Sequence, residues 1–213
     1  SALGYDAQVP SLHEGMADNP EFFVDVVCMV FRPRDAESSS GSDDPSSEQH
    51  EGQARNGYRL LSSWNVIPGL VDGQVDGESL RIWLGLAMRL LDDRGRLEVG
   101  MLQIGHVLAS APPDPDGSWP PEVVRDILEE LQSEKVEGGL STAIINRRGV
   151  TWRGLEEGGT QETELAAKYK ADADRWADEW PRLVALLRSI AKSYEGFARL
   201  NEDSAERFRR GLD

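Results

Sequence analysis

Residues 76–95, DGESLRIWLGLAMRLLDDRG, carry the pattern that decides the fold class. Leu80, Trp83, Leu84, Ala87, Met88 and Leu91 recur at the spacing of one helical face. Asp76 stands at the N-cap position, where a short side-chain oxygen accepts from otherwise free backbone N–H groups. Arg94-Gly95 closes the run, glycine being the residue that most readily leaves a helix. A strand would need a period of two, and the stretch does not show one.

The same reading extends in both directions. Downstream, a helix from about Arg96 sets Leu97, Met101, Ile104 and Leu108 on one stripe and stops at Pro112-Pro113. Trp119-Pro120-Pro121-Glu122 opens the next, with Val123, Val124, Ile127, Leu128 and Leu131 inward, and Ser133 caps another over 134–146. Thr160 begins the longest helical stretch, with Leu165, Tyr169, Ala173, Trp176 and Trp180 on a face. Pro181 ends or kinks it, and Leu183, Val184, Leu187, Ile190, Tyr194 and Phe197 continue as a final helix. Upstream, helical signal from Ser47 runs through Tyr58, Leu60, Leu61 and Trp64 to Pro68-Gly69. Asn19-Pro20-Glu21 reads as N-cap, N1 proline and acidic first turn. Residues 21–31 are apolar on nearly every side, as in a buried central helix, although their Val and Phe content also suits a buried strand.

These segments predict an all-α protein, an irregular bundle or array of antiparallel helix pairs with about eight helices. The organisation expected is an irregular N-terminal segment at 1–18 and a single helical domain at 19–212. Residues from about 32 to 47, acidic and rich in serine, have little to bury and are expected to form a disordered loop. No repeat period is evident.

The net charge is −15, and residues 1–57 hold eleven acids against three basic residues, a net of −8. Such a chain is repelled by phosphate backbones and by anionic lipid, so neither nucleic acid nor a membrane is an expected partner. Cys28 is the single cysteine, which excludes an internal disulfide and a thiolate metal cluster; among Val26, Val27 and Met29 it reads as core filler. The longest apolar run, 22–31, is too short to span a bilayer, and no signal peptide is evident. The expected location is the cytoplasm. The chain begins Ser1-Ala2-Leu3, which reads as a piece of a longer protein.

No catalytic or metal motif emerges. Asp72-Gly73-Gln74-Val75-Asp76-Gly77 imitates the start of a calcium loop, but Gln74 and Trp83 stand where ligands belong. Asp114-Pro115-Asp116-Gly117 fails in the same way, and both are better read as turns and caps. His13, His50 and His106 fall in different segments without ligand spacing. No nucleophile elbow or phosphate loop is present, and no cofactor is implied. The best candidate surface is the Arg/Gly-rich loop 147–160. Arg147, Arg148, Trp152 and Arg153 crowd there, and the loop runs into a helix N-terminus at Thr160, where free N–H groups favour an anion or an acidic partner patch. The bland alternative, arginines pairing with Glu156, Glu157 or Glu162, carries more weight. Most of the six tryptophans sit on apolar stripes as core anchors.

Arg59-Leu60-Leu61-Ser62-Ser63-Trp64, Ile104-Gly105-His106-Val107-Leu108-Ala109, Asp114-Pro115-Asp116-Gly117-Ser118-Trp119-Pro120 and Asn146-Arg147-Arg148-Gly149-Val150-Thr151-Trp152-Arg153-Gly154 together resemble the C-terminal portion of large, uncharacterised bacterial proteins. The resemblance spans roughly residues 19–200 and implies a module of a longer chain. It implies no activity and no site residues.

Two functions are therefore in view. The first is a non-enzymatic helical protein-interaction module, a terminal domain of a larger bacterial protein, meeting a protein partner or other domains of its parent through helix grooves and the Arg/Trp loop. The alternative is an anion- or nucleotide-binding domain using that loop. A hydrolase built on scattered acids such as Glu156 and Glu162 ranks last.

Overall fold

The computed structural model describes residues 9–31, 45–147 and 159–210. Among them the protein is all-α, as the periodicity predicts, with one short hairpin. The helices are α1 (Val9–Asp18), α2 (Pro20–Val30), α3 (Pro45–Ser63), α4 (Gly77–Asp93), α5 (Leu97–Leu108), α6 (Glu122–Leu131), α7 (Glu134–Arg147), α8 (Thr160–Arg175) and α9 (Pro181–Arg209). Strands β1 (Leu70–Val71) and β2 (Gln74–Val75) pair antiparallel, with Leu70 opposite Val75.

One expectation needs correction. Residues 9–18, predicted irregular, form a helix, because Leu12, His13, Met16 and Ala17 follow helical spacing once His13 counts as an inward residue. The stretch read as a turn and a cap is both, set in a short hairpin: Asp72 (φ 50°) and Gly73 (φ 79°) supply the two left-handed residues of its turn, and Asp76 caps the helix that follows. The chain divides into two compact units, Ser1–Val124 with Ser133–Leu140, and Arg125–Gln132 with Ser141–Asp213. The loop predicted at about 32–47 lies outside the described residues up to 44, and α3 begins at Pro45.

In the first unit α2 is the central helix. Asn19 accepts from the backbone N–H groups of Glu21 (2.9 Å) and Phe22 (3.4 Å), and Pro20 occupies the first helical position. Phe23, Val24, Val26 and Val27 are buried. Phe23 meets Trp64, after α3, and Trp83, in α4, at ring-centroid distances of 5.1 and 5.2 Å, and the two indoles lie 5.9 Å apart. Asp76 caps α4 by accepting from the Ser79 N–H at 3.0 Å. Helices α5 and α7 cross at Gly105 and Gly139, where a Cβ on Gly105 would stand 2.1 Å from the Val136 carbonyl oxygen.

In the second unit α8 and α9 form an antiparallel pair around Tyr169 and Tyr194, whose rings stack at 5.7 Å. Asp174 pairs with Arg188 (3.3 Å), and Lys170 with Glu195. Glu129 of α6 accepts from the N–H groups of Arg182 (2.8 Å) and Leu183 (3.2 Å), supplying the N-terminus of α9 with acceptors from outside its own chain segment. The Arg125 guanidinium lies 4.9 and 4.3 Å from the ring centroids of Trp176 and Trp180, and Trp180 donates its indole N–H to Asp126 (2.9 Å).

Two glycines give opposite expectations. Gly105→Ala forces backbone against backbone and should cost about 3 kcal/mol. Gly85, inside α4, would meet nothing within 4 Å if given a Cβ. Gly85→Ala should therefore stabilise by about 0.5–1 kcal/mol through backbone entropy. Urea unfolding of both variants checks the two signs.

A second expectation concerns pH. Burial pushes the Tyr169 phenol up to about 12 from 10.0, with the charges of Tyr194 and Asp172 adding to it. A folded pKa above the unfolded one contributes stability that is complete below pH 10 and is lost as pH rises towards about 12. The wild type should lose on the order of 3 kcal/mol more than Tyr169→Phe across that window, measured by denaturant titration.

Candidate interaction groove

The first unit carries a groove of about 590 Å³. It is built from α1 (Glu14, Ala17, Asp18), the start of α2 (Pro20), the segment from Val66 to Val71, and the face of α4 bearing Ser79, Ile82, Trp83 and Leu86. Each wall is fixed by an identifiable contact. His13 on α1 is buried, with its ring nitrogens 3.1 Å from Asn65 Oδ1 and 3.2 Å from Ser63 Oγ. Trp83 donates its indole N–H to the Met16 carbonyl at 3.1 Å, tying α4 to α1 while its ring lines the groove. Gly69 turns the chain at φ 75°, where its carbonyl accepts from the Asp76 N–H at 2.7 Å, and a Cβ would stand 2.9 Å from the Asp76 oxygen. The hairpin that follows presents Leu70 and Val71 on the groove's side.

The lining is apolar and open to water. Leu70, Val71, Ile82 and Leu86 are 44%, 58%, 58% and 37% exposed. Large aliphatic side chains left together in solvent forgo about 1.5–3 kcal/mol each of burial energy, which a partner can recover. The charged side chains in the lining are Glu14 and Asp18, both exposed. They stand four residues apart on α1, the spacing at which like charges repel, and among the described residues neither has an ion-pair partner.

The loop proposed from sequence is only partly visible. Arg148, Trp152 and Arg153 lie outside the described residues. Arg147 is the exposed last residue of α7, and Thr160 the exposed first residue of α8. Gly159, which precedes Thr160, donates its N–H to Glu202 (3.4 Å) and accepts the Thr163 hydroxyl (3.0 Å). A shallow depression beside it is lined by Thr160, Glu164, Arg199 and Glu202, a set with more negative than positive charge.

The remaining acidic motifs are engaged internally. Asp114 accepts from the Glu122 N–H (2.9 Å) at the start of α6, and Asp116 from the Ser118 N–H (2.9 Å). His106 is half-buried, and burial holds its pKa below the ordinary imidazole value. Among the described residues no group of three or more His, Cys, Asp or Glu side chains is placed to share a metal ion. No described helix is long and apolar enough to cross a membrane.

The groove was missed in the sequence, though part of its signal was there. Ile82 and Leu86 are apolar, four residues apart, and off the Leu80–Trp83–Leu84–Ala87–Leu91 stripe, so α4 carries two apolar faces. Nothing in the sequence announced that Glu14, Asp18 and the hairpin would flank that second face. No family model, curated protein or solved structure matches the chain.

Because Ile82 faces solvent, Ile82→Ser should change stability by less than about 0.5 kcal/mol. Leu80→Ala, two residues away in the core, should cost about 2–5 kcal/mol. Thermal unfolding of the two variants distinguishes a surface ridge from a buried one.

Proposed function

We propose that this chain is a non-enzymatic helical protein-interaction module, a terminal domain of a larger cytoplasmic bacterial protein, which holds a polypeptide partner in the groove between α1 and α4. The observation that carries the reading is the solvent-exposed aliphatic cluster of Leu70, Val71, Ile82 and Leu86 on rigid walls. Exposed apolar patches of this kind mark contact surfaces. The chemistry of the lining supports contact over catalysis. Its ionisable side chains are two carboxylates, its one hydroxyl is Ser79, and the rest of the lining is apolar or glycine. The partner is another protein or another domain of the parent. The net charge of −15 argues against nucleic acid.

The test is site-specific photo-crosslinking in cells of the native host, with the photoreactive residue at Ile82 or Val71 of the parent protein. An adduct with a second polypeptide, or with a distant segment of the parent, is expected at both positions. The control is Lys192, an exposed polar position in α9. Equal yields at all three positions, or none, would remove the proposal.

A further inference from the structure

Resting on that reading, we propose that the groove's occupant is an amphipathic, cationic helix of a different protein, whose apolar face covers Ile82 and Leu86 and whose lysine or arginine meets Glu14 and Asp18. Three independent features of the first unit point to this chemistry.

The first is charge. The described lining contains two carboxylates and no basic side chain, so a cation brought to that rim gains both attractions and relieves the repulsion between Glu14 and Asp18. This disfavours a second copy of the chain. A two-fold contact through this face would set the same acids near each other, between two bodies of charge −15.

The second is the shape of the ridge. Ile82 and Leu86 are one turn apart on α4, the spacing that a helix laid alongside reads with its own i, i+4 side chains. The two-residue β1 offers too short an edge for strand addition.

The third is Gly85. It adjoins Ile82 on the helix surface, and the protein's own packing gives no reason for a glycine there, since a Cβ would meet nothing within 4 Å. A glycine costs helix stability, here as at the open helical positions Gly52 and Gly196, and beside Ile82 it leaves room for another backbone to come close.

The experiment is selection from a displayed library of random peptides, long enough for about four helical turns, on the full chain. The Ile82→Ser variant, which has the same net charge, serves for counter-selection. Enriched peptides should carry aliphatic residues at three- and four-residue spacing and at least one flanking Lys or Arg. Synthetic copies should bind more than tenfold more weakly to Ile82→Ser, about threefold to tenfold more weakly to Glu14→Gln/Asp18→Asn, and severalfold more weakly to Gly85→Ala, although that last variant is more stable. Raising ionic strength about tenfold should weaken binding to the wild type by a larger factor than binding to the double carboxylate variant. Neutral or acidic peptides that depend on Ile82 would overturn the cationic helix while leaving the interaction module standing. Cationic peptides held equally by Ile82→Ser would show attraction to an acidic protein only, and overturn it too. A failure to enrich any peptide overturns the assignment, and with no crosslink at Ile82 the module reading falls as well.

Discussion

The contact on which the first unit depends is the meeting of Phe23, Trp64 and Trp83, three rings brought from α2, the segment after α3, and α4, with centroids 5.1 to 5.9 Å apart. Aromatic pairs at this distance add about 0.5–1.5 kcal/mol each beyond the burial of their surface. The arrangement tolerates a penalty: the Trp64 indole N–H is buried without an acceptor among the described residues, which costs about 1–3 kcal/mol. The Trp83 N–H, by contrast, is spent on the Met16 carbonyl. The ring cluster therefore positions α1 as well as α4, and the same tryptophan that anchors the core also lines the groove.

Around that groove several local rules are broken together. Aliphatic side chains stand in water at Leu70, Val71, Ile82 and Leu86, two like charges face each other at Glu14 and Asp18, and a helix interior holds a glycine that its own packing does not need. Each departure lowers the stability of the free protein by a small amount. Sequences agree with their folds at every level except where function intervenes. Other positions follow the rules closely: Gly105 is glycine because the Val136 carbonyl would overlap a Cβ, and Asp76, Asn19 and Asp114 each meet helix N–H groups. Singly exposed leucines are ordinary; here four exposed aliphatic side chains line one groove, and the proposed contact rests on that.

The second unit reaches order by another route. Its α8–α9 pair is stapled by the stacked Tyr169 and Tyr194, and several of its polar groups meet partners distant in sequence. Glu129 of α6 serves the first N–H groups of α9, and Arg125 is covered by Trp176 and Trp180, where a guanidinium gains from the ring faces. Such partners lie more than fifty residues away in sequence, so the local pattern around Pro181 shows a helix start without showing its cap.

Helix type, most helix boundaries and the burial of α2 were legible in the sequence, because side-chain spacing, Asn19-Pro20, Asp76 and Gly95 act within a turn or two of the backbone. Helix α1 was missed because His13 looks polar and is buried only through Asn65 and Ser63, some fifty residues on. The hairpin was missed because two-residue strands carry no period, although Asp72-Gly73 names their turn. The division into two units and the groove had no local signature at all. Ile82 and Leu86 announce a second apolar face on α4, but whether a face is covered depends on which distant segments pack there. The sequence by itself determined which stretches coil and which of their residues seek the interior. Only tertiary structure decided that Glu14, Asp18 and Val71 should border Ile82, because long-range packing, rather than backbone preference, sets which surfaces end up side by side.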